Sequence, residues 1–313
     1  MKRNWSASDI LFGIAIGDAL GVPVEFTSRE ELRKNPVTDF RGYGTYQQPP
    51  GTWSDDTALA LCLAEELING FDPEAIAKNM LRWYRHNHWT ATGAVFDVGL
   101  ITQRALLRLA RGTSYQFCGD SDERSNGNGS LMRILPLLLH IEDLEEEERF
   151  QNTSIISSIT HAHPWSISCC FYYLEFARLL AANWDKEKAY VFLNERLCKK
   201  SPAGFETEPL TRILKGNLHV LQEHHIKSFG YVVDTLEAAL WCFLTTNSYK
   251  EAVLKAINLG HDTDTCGSVT GGLAGLYYGK SGIPEKWIQE VARAKEIEEL
   301  AKTLDKRYIK FSS

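Results

Sequence analysis

Ser54-Asp55-Asp56-Thr57, continuing as ALALCLAEELI to Ile68 and closing at Asn69-Gly70, is the stretch on which the fold reading turns. A hydroxyl side chain can cap the first free amides of a helix, and acids in the first turn face the positive end of its dipole. A glycine just past the last apolar residue ends it. The same grammar recurs in both directions. Asp72-Pro73 opens AIAKNMLRWYRH in the cap-then-proline arrangement, and residues 93–111 repeat the helical period up to Gly112. Further helices are predicted over 144–160, 164–182, 186–199, 208–222, 233–245, 249–259, 265–278 and 284–304. Period-two alternation, the mark of a half-buried strand, is nearly absent. The pattern predicts an all-α fold.

Two stretches resist helix, 35–53 with its Gly, Pro, Gln and Tyr, and 119–130 with SDERSNGNGS. Long irregular segments within a domain are usually functional or mobile. Helical signals of one character resume on both sides, so residues 1–313 are read as a single domain. Gly13, Gly17 and Gly21 share one helical face, as do Gly267, Gly271, Gly275 and Gly279, which predicts close helix packing. The run Glu145 to Glu148 is read as a solvated face.

Composition bounds the partners. The 313 residues are 44% hydrophobic and 24% charged, which excludes disorder, and 34 basic against 40 acidic side chains leave a net charge of −6. No basic balance suggests nucleic acid or an anionic membrane surface. Lys2-Arg3 precedes an apolar run, Ile10 to Ile16, but Asp9 and Asp18 flank it and no small-x-small cleavage site follows, so a signal peptide is not expected. Nor is a segment of about 20 apolar residues expected to span a bilayer. Seven Cys without a CxxC pair, mostly in apolar helical stretches, predict reduced thiols and a cytoplasmic setting.

Two acidic clusters stand out, Gly51-Thr52-Trp53-Ser54-Asp55-Asp56-Thr57 and Gly260-His261-Asp262-Thr263-Asp264-Thr265. Each puts carboxylates and hydroxyls where a loop becomes a helix, the oxygen ligand set that Mg²⁺ or Mn²⁺ takes. Each is also what an ordinary capped helix start looks like, but two of the same kind favour a shared site, because converging aspartates repel without cations. Two ions would then sit ~3.5–4 Å apart. Three further pieces carry polar groups in apolar surroundings. Gly17-Asp18-Ala19-Leu20-Gly21 ends a helix ahead of Glu25, and Phe96-Asp97-Val98-Gly99 puts an acid in an apolar helical start. Asn126-Gly127-Asn128-Gly129-Ser130 is a glycine-rich loop leading to a helix, suited to presenting amides to a phosphate.

Together, in this order, these pieces resemble the ADP-ribosylglycohydrolase family from Leu11 to about Gly279, with Thr160-His161 matching one further position. The resemblance implies an all-α fold with two Mg²⁺ or Mn²⁺ ions in a cleft. It implies hydrolysis of the glycosidic bond joining ADP-ribose to an acceptor, most simply an arginine of a protein. Serine-linked, polymeric or small-molecule conjugates are the alternative acceptors, and a non-catalytic, crystallin-like member is another. By position, Ser54, Asp55, Asp56, Asp262, Asp264 and Thr265 would be metal ligands, with Ser54 where many members have Thr. Glu25 and Asp97 would be the catalytic acids. Asn126, Gly127, Asn128, Gly129, Ser130 and His161 would contact the diphosphate and riboses. His163 is read as satisfied by local hydrogen bonds, and His261 as lying beside the ligands without being one.

Overall fold

Two glycine-faced helices cross at the centre of the molecule and decide where the site forms. The structure, a computed structural model, describes residues 4–308. Along the chain run α1 (Ala7–Gly21), α2 (Arg29–Lys34), α3 (Asp55–Leu67), α4 (Pro73–His86), α5 (Leu100–Ala110), α6 (Leu138–Ile141), α7 (Glu146–Ser158) and α8 (Pro164–Ala181). Then come α9 (Lys186–Lys199), α10 (Thr211–Leu214), α11 (Val232–Leu244), α12 (Tyr249–Ile257), α13 (Thr263–Tyr278), α14 (Glu285–Glu290) and α15 (Ala294–Tyr308). Isolated bridges, Asp120 with His161 and Gly127 with Tyr231, are the extended pairings among the described residues. The fold is all-α, and its buried apolar side chains form one contiguous core.

Helices α1 and α13 pack backbone to backbone. A Cβ on Gly17 would overlap the Gly267 carbonyl, and one on Gly13 the Gly271 carbonyl. At Gly21 a Cβ would run into the Asp264 backbone, so the end of α1 lies directly on the start of α13. Small residues on a ridge allow this approach, which larger side chains would forbid. Gly279 is the exception: it follows α13 with φ of 73° and ends the helix rather than extending the ridge.

Helix α1 is buried on all sides, as a helix apolar all round must be. Residues Ala7–Val24 do reach the length and hydropathy of a membrane span, contrary to the expectation that no segment would; 83% of that window is buried inside the protein, which accounts for its apolar character. None of the seven cysteines is paired.

Three predicted helices are shorter or broken. Over 208–222 only α10 and a 3₁₀ turn at Leu218–Val220 form, with Gly216 left-handed between them at φ 75°. The 284–304 helix breaks between α14 and α15, where Val291 is extended and Arg293 has φ of 52°. Residues 93–99 stay irregular, so α5 starts only at Leu100 and Asp97, at φ 52°, precedes the helix instead of lying within it. Segments 35–53 and 119–130 are irregular apart from the two bridges, as the sequence predicts.

Candidate active site

The crossing of α1 and α13 stacks two acidic helix starts against each other. Ser54 caps α3, its hydroxyl accepting from the Asp56 amide, and Asp55 and Asp56 occupy the first turn. Asp262 precedes α13, and Asp264 and Thr265 lie in its first turn. Across 209 residues of sequence, the Thr265 hydroxyl comes within 3.4 Å of Asp56 Oδ2, and the Ser54 hydroxyl reaches the same oxygen at 3.4 Å. The two clusters therefore form one site.

Asp18 sets that geometry from beneath. Fully buried on α1, its carboxylate accepts from the Ser54 amide at 3.0 Å, the Thr57 amide at 3.0 Å and the Thr57 hydroxyl at 2.6 Å. It thus binds the N-terminus of α3 and fixes the direction in which Asp55 and Asp56 point. Sequence reading assigned Asp18 no role; the available signal was one acid inside the apolar Ile14-Ala15-Ile16-Gly17-Asp18-Ala19-Leu20.

Glu25, Asp262 and Asp264 each offer an oxygen within 4.8 Å of the others. Glu25 Oε2, Asp56 Oδ1, Asp262 Oδ1 and Asp264 Oδ2 are buried without a hydrogen-bond partner. A buried charge left unpaired is costly, and the crowding shows in the acidities. Burial, then the charge of Asp97, pushes Glu25 up to about 9, and burial raises Asp18 to about 7. Asp55, Asp56 and Asp264 are held well above the carboxylate range by burial first and next by neighbouring charges, Asp97 on Asp55, Asp18 on Asp56 and Glu25 on Asp264. Carboxylate and hydroxyl oxygens with free lone pairs, converging in one place, are what a hard divalent cation requires.

Beside these acids lies a cavity of about 450 Å³, lined by Glu25, Asp55, Asp56, Asp97, Asp262 and Thr265. Asp97 reaches it from the irregular segment before α5, its Oδ1 accepting from the Tyr46 hydroxyl at 2.6 Å. The same cavity is lined by Gly127, Gly129, His161, Arg124 and Arg104, the last of these paired with Asp120. Behind Gly129, Arg133 is wholly buried, and carbonyls instead of a carboxylate receive its hydrogen bonds: Gly129 at 2.5 Å and Ile156 at 3.2 Å. Burial lowers Arg133 only to about 10, so it remains a cation. Burial, with the Arg133 and Arg104 charges, takes His161 down to about 3, so its ring is neutral. The cavity wall thus carries both open carboxylates and arginine.

The glycine-rich loop divides. Gly127, Asn128 and Gly129 face the cavity. Asn126 turns away, its side chain accepting from the Ser166 hydroxyl at 3.1 Å, and Ser130 is buried against Ser157 at 3.0 Å. The loop leads into turns and a 3₁₀ segment, Leu135–Leu137, so it does not open a helix as predicted and supplies no helix dipole there. The Asn128 amide is bonded to the Gly230 carbonyl at 3.1 Å, whereas its side chain donates to Asp262 Oδ2 at 2.8 Å and to Thr235 at 2.9 Å. Asn128 therefore orients an acid. His161 packs against both glycines, with Nδ1 paired to the Thr160 hydroxyl at 2.8 Å. His163 caps α8, accepting from the Trp165 amide at 3.2 Å, and His261 stacks on Phe229 outside the acidic group.

The chain resembles known proteins along its length. A family model described as ADP-ribosylglycohydrolase matches residues 6–311. The ADP-ribosylarginine hydrolase Tri1 of Pseudomonas putida (strain GB-1) is 35% identical over 302 residues, covering 95% of this chain and 77% of the relative. The ADP-ribosyl-[dinitrogen reductase] glycohydrolase of Rhodospirillum rubrum is 28% identical, covering 89% of this chain and 87% of its own, and the human ADP-ribosylhydrolase ARH3 is 25% identical, covering 96% and 93%. Among solved structures, an ADP-ribosylglycohydrolase-related protein complex superposes with a TM-score of 0.81 at 33% identity, covering 97% of this chain and 98% of that one. The chain belongs to the ADP-ribosylglycohydrolase family.

Proposed function

We propose that the protein hydrolyses the N-glycosidic bond between ADP-ribose and an arginine guanidinium, removing the modification from a protein or small-molecule acceptor. The observation that carries the reading is the meeting of four unpartnered carboxylate oxygens, from Glu25, Asp56, Asp262 and Asp264, beside a cavity whose wall also carries Asp97 and Arg124. ADP-ribose has the matching asymmetry, an anionic diphosphate remote from the ribose carbon that is cut. Arginine is favoured because the 35% and 34% identical relatives carry the name ADP-ribosylarginine hydrolase. Residual negative charge among the carboxylates also suits a cationic leaving group.

Ser54, Asp55, Asp56, Asp262, Asp264 and Thr265, with Glu25 nearby, would hold two divalent cations, Mg²⁺ or Mn²⁺. Bound cations supply Lewis acidity toward ribose oxygens or an attacking water. The chain's own groups do the rest. Arg104, Arg124 and the face formed by Gly127, Gly129 and His161 anchor the diphosphate, which fixes the ribose toward the acids. As the glycosidic bond lengthens, the ribose gains oxocarbenium character, and the carboxylates facing it stabilise that charge. Asp97 takes a proton from the attacking water, or holds the departing guanidinium through paired hydrogen bonds. Unpaired cysteines fit a reducing compartment, and we propose a cytoplasmic setting.

A release assay with matched peptides tests the acceptor. Arginine-linked ADP-ribose is expected to be freed in the presence of Mg²⁺; release from serine-linked peptide alone would overturn the arginine assignment.

A further inference from the structure

Segment 43–48, part of the irregular stretch after α2, forms a strap between the two parts of the chain that carry Glu25 and Asp97. On one side it holds the segment of Glu25: the Thr45 amide donates to the Pro23 carbonyl at 3.1 Å and the Thr45 hydroxyl to the Glu25 carbonyl at 2.7 Å. A Cβ on Gly44 would overlap the Pro23 carbonyl, so the two backbones touch. On the other side it holds the segment of Asp97. Thr92 donates to the Gln48 side chain at 3.1 Å, and the Tyr46 ring lies 5.1 Å from that of Phe96. Tyr43 and Gln47 take left-handed conformations, φ 60° and 54°, and the Gln47 side chain ties the turn together by donating to the Tyr43 and Gly44 carbonyls. Non-glycine residues keep such conformations where their surroundings over-determine them.

Tyr46 is the polar group this strap delivers. Its hydroxyl donates to Asp97 Oδ1 at 2.6 Å, with the Glu25 carboxyl also close to the phenol. Asp97, left-handed at φ 52°, sits on an irregular segment, and its carboxylate has like charges for neighbours, Asp55 among them. A single strong donor selects one position for it, spending Oδ1 on Tyr46 and leaving Oδ2 for the reacting group. We infer that Tyr46 is the positioning residue for Asp97, aiming its second carboxylate oxygen at the bond to be cut and tying that aim to the segment carrying Glu25. This rests on Asp97 acting at the reacting atoms, as proposed above.

Tyr46→Phe keeps the ring on Phe96 and removes only the hydroxyl. Its kcat on arginine-linked ADP-ribose is expected to fall about 10- to 30-fold, the scale of one hydrogen bond to a charged group. KM, ADP-ribose affinity by calorimetry, and Tm should stay near wild type, which a general loosening of the site would not allow. In an Asp97→Asn background the same change should cost nothing further, because the group it aims is already disabled. Wild-type kcat for Tyr46→Phe, or an equal loss in both backgrounds, overturns the inference while a crippled Asp97→Asn leaves the catalytic role of Asp97 standing. Wild-type turnover by Asp97→Asn itself overturns both.

Discussion

On one part of the cavity wall, carboxylates arrive from two helix starts and a loop and are left with unpartnered oxygens; on another, Arg124 reaches the wall while Arg133 lies buried behind Gly129 with carbonyls for partners. Neither these acids nor Arg124 and Arg133 form an ion pair among the described residues. Structural charge is handled differently elsewhere in this chain. Glu175, equally buried, is met by Arg149, Arg178 and Arg196, and Asp120 by Arg104 and Arg108. These ion pairs offset the cost of burying a charge. Charge left unpaired around one cavity is arranged for something that enters, with cations suited to the acids and an anionic group to the arginines.

The acids should be the more sensitive. Asp56→Asn or Asp262→Asn removes one converging charge and should lower kcat by about 10³-fold or more, as several kcal/mol of transition-state stabilisation imply. The circular dichroism spectrum should be retained, and chelation of the wild type should reproduce the loss. Near wild-type turnover in both variants would show that the acids serve only as helix caps.

The arginines should respond in binding more than in rate. Arg124 is exposed, so Arg124→Ala leaves packing untouched. Calorimetry should find ADP-ribose about 3- to 10-fold weaker, a difference that shrinks in high salt, with adenosine binding unaffected. An equal loss for adenosine would mean that Arg124 does not read phosphate.

The smallest of these effects is in stability against pH, and its sign distinguishes the acids from the arginines. Asp18 and Glu25 are raised in the folded protein from ordinary values of 3.8 and 4.5 to about 7 and 9. Groups raised in this way favour the fold while protonated, so their contribution is complete below about pH 4 and is lost as pH rises through 7 and 9. The metal-free protein should lose Tm by a few degrees across that interval. Bound cations favour the ionised acids, so the Tm increase on adding Mg²⁺ should grow with pH. A Mg²⁺ effect that is flat or falls with pH would contradict this account of the acids.

Much of this was readable from the chain because helix starts are written locally. Ser54-Asp55-Asp56-Thr57 and Asp262-Thr263-Asp264-Thr265 announce both a helix and an acid cluster, and the glycine faces of α1 and α13 announce the crossing that unites them. What escaped depends on neighbours distant in sequence. Asp18 matters through the amides of Ser54 and Thr57, and Tyr46 through Asp97, 51 positions away. The basic residues were missed because Arg104 lies on the amphipathic α5, where it reads as a surface residue, and Arg133 sits in an apolar run with nothing local to mark it as buried. The loop at 126–130 was over-read. The resemblance implied five ligand contacts, but the side chains at its two ends, Asn126 and Ser130, point away to Ser166 and Ser157.

The central claim, that two acidic segments separated by some two hundred residues form one cation site beside a basic anchor, has a direct test. Crystals soaked in Mn²⁺ with ADP-ribose should give anomalous peaks bonded to Asp56, Asp262 and Asp264, with the diphosphate against Arg124 and Gly129. A map with no anomalous peak near these acids, in crystals where ADP-ribose is bound, would contradict the account.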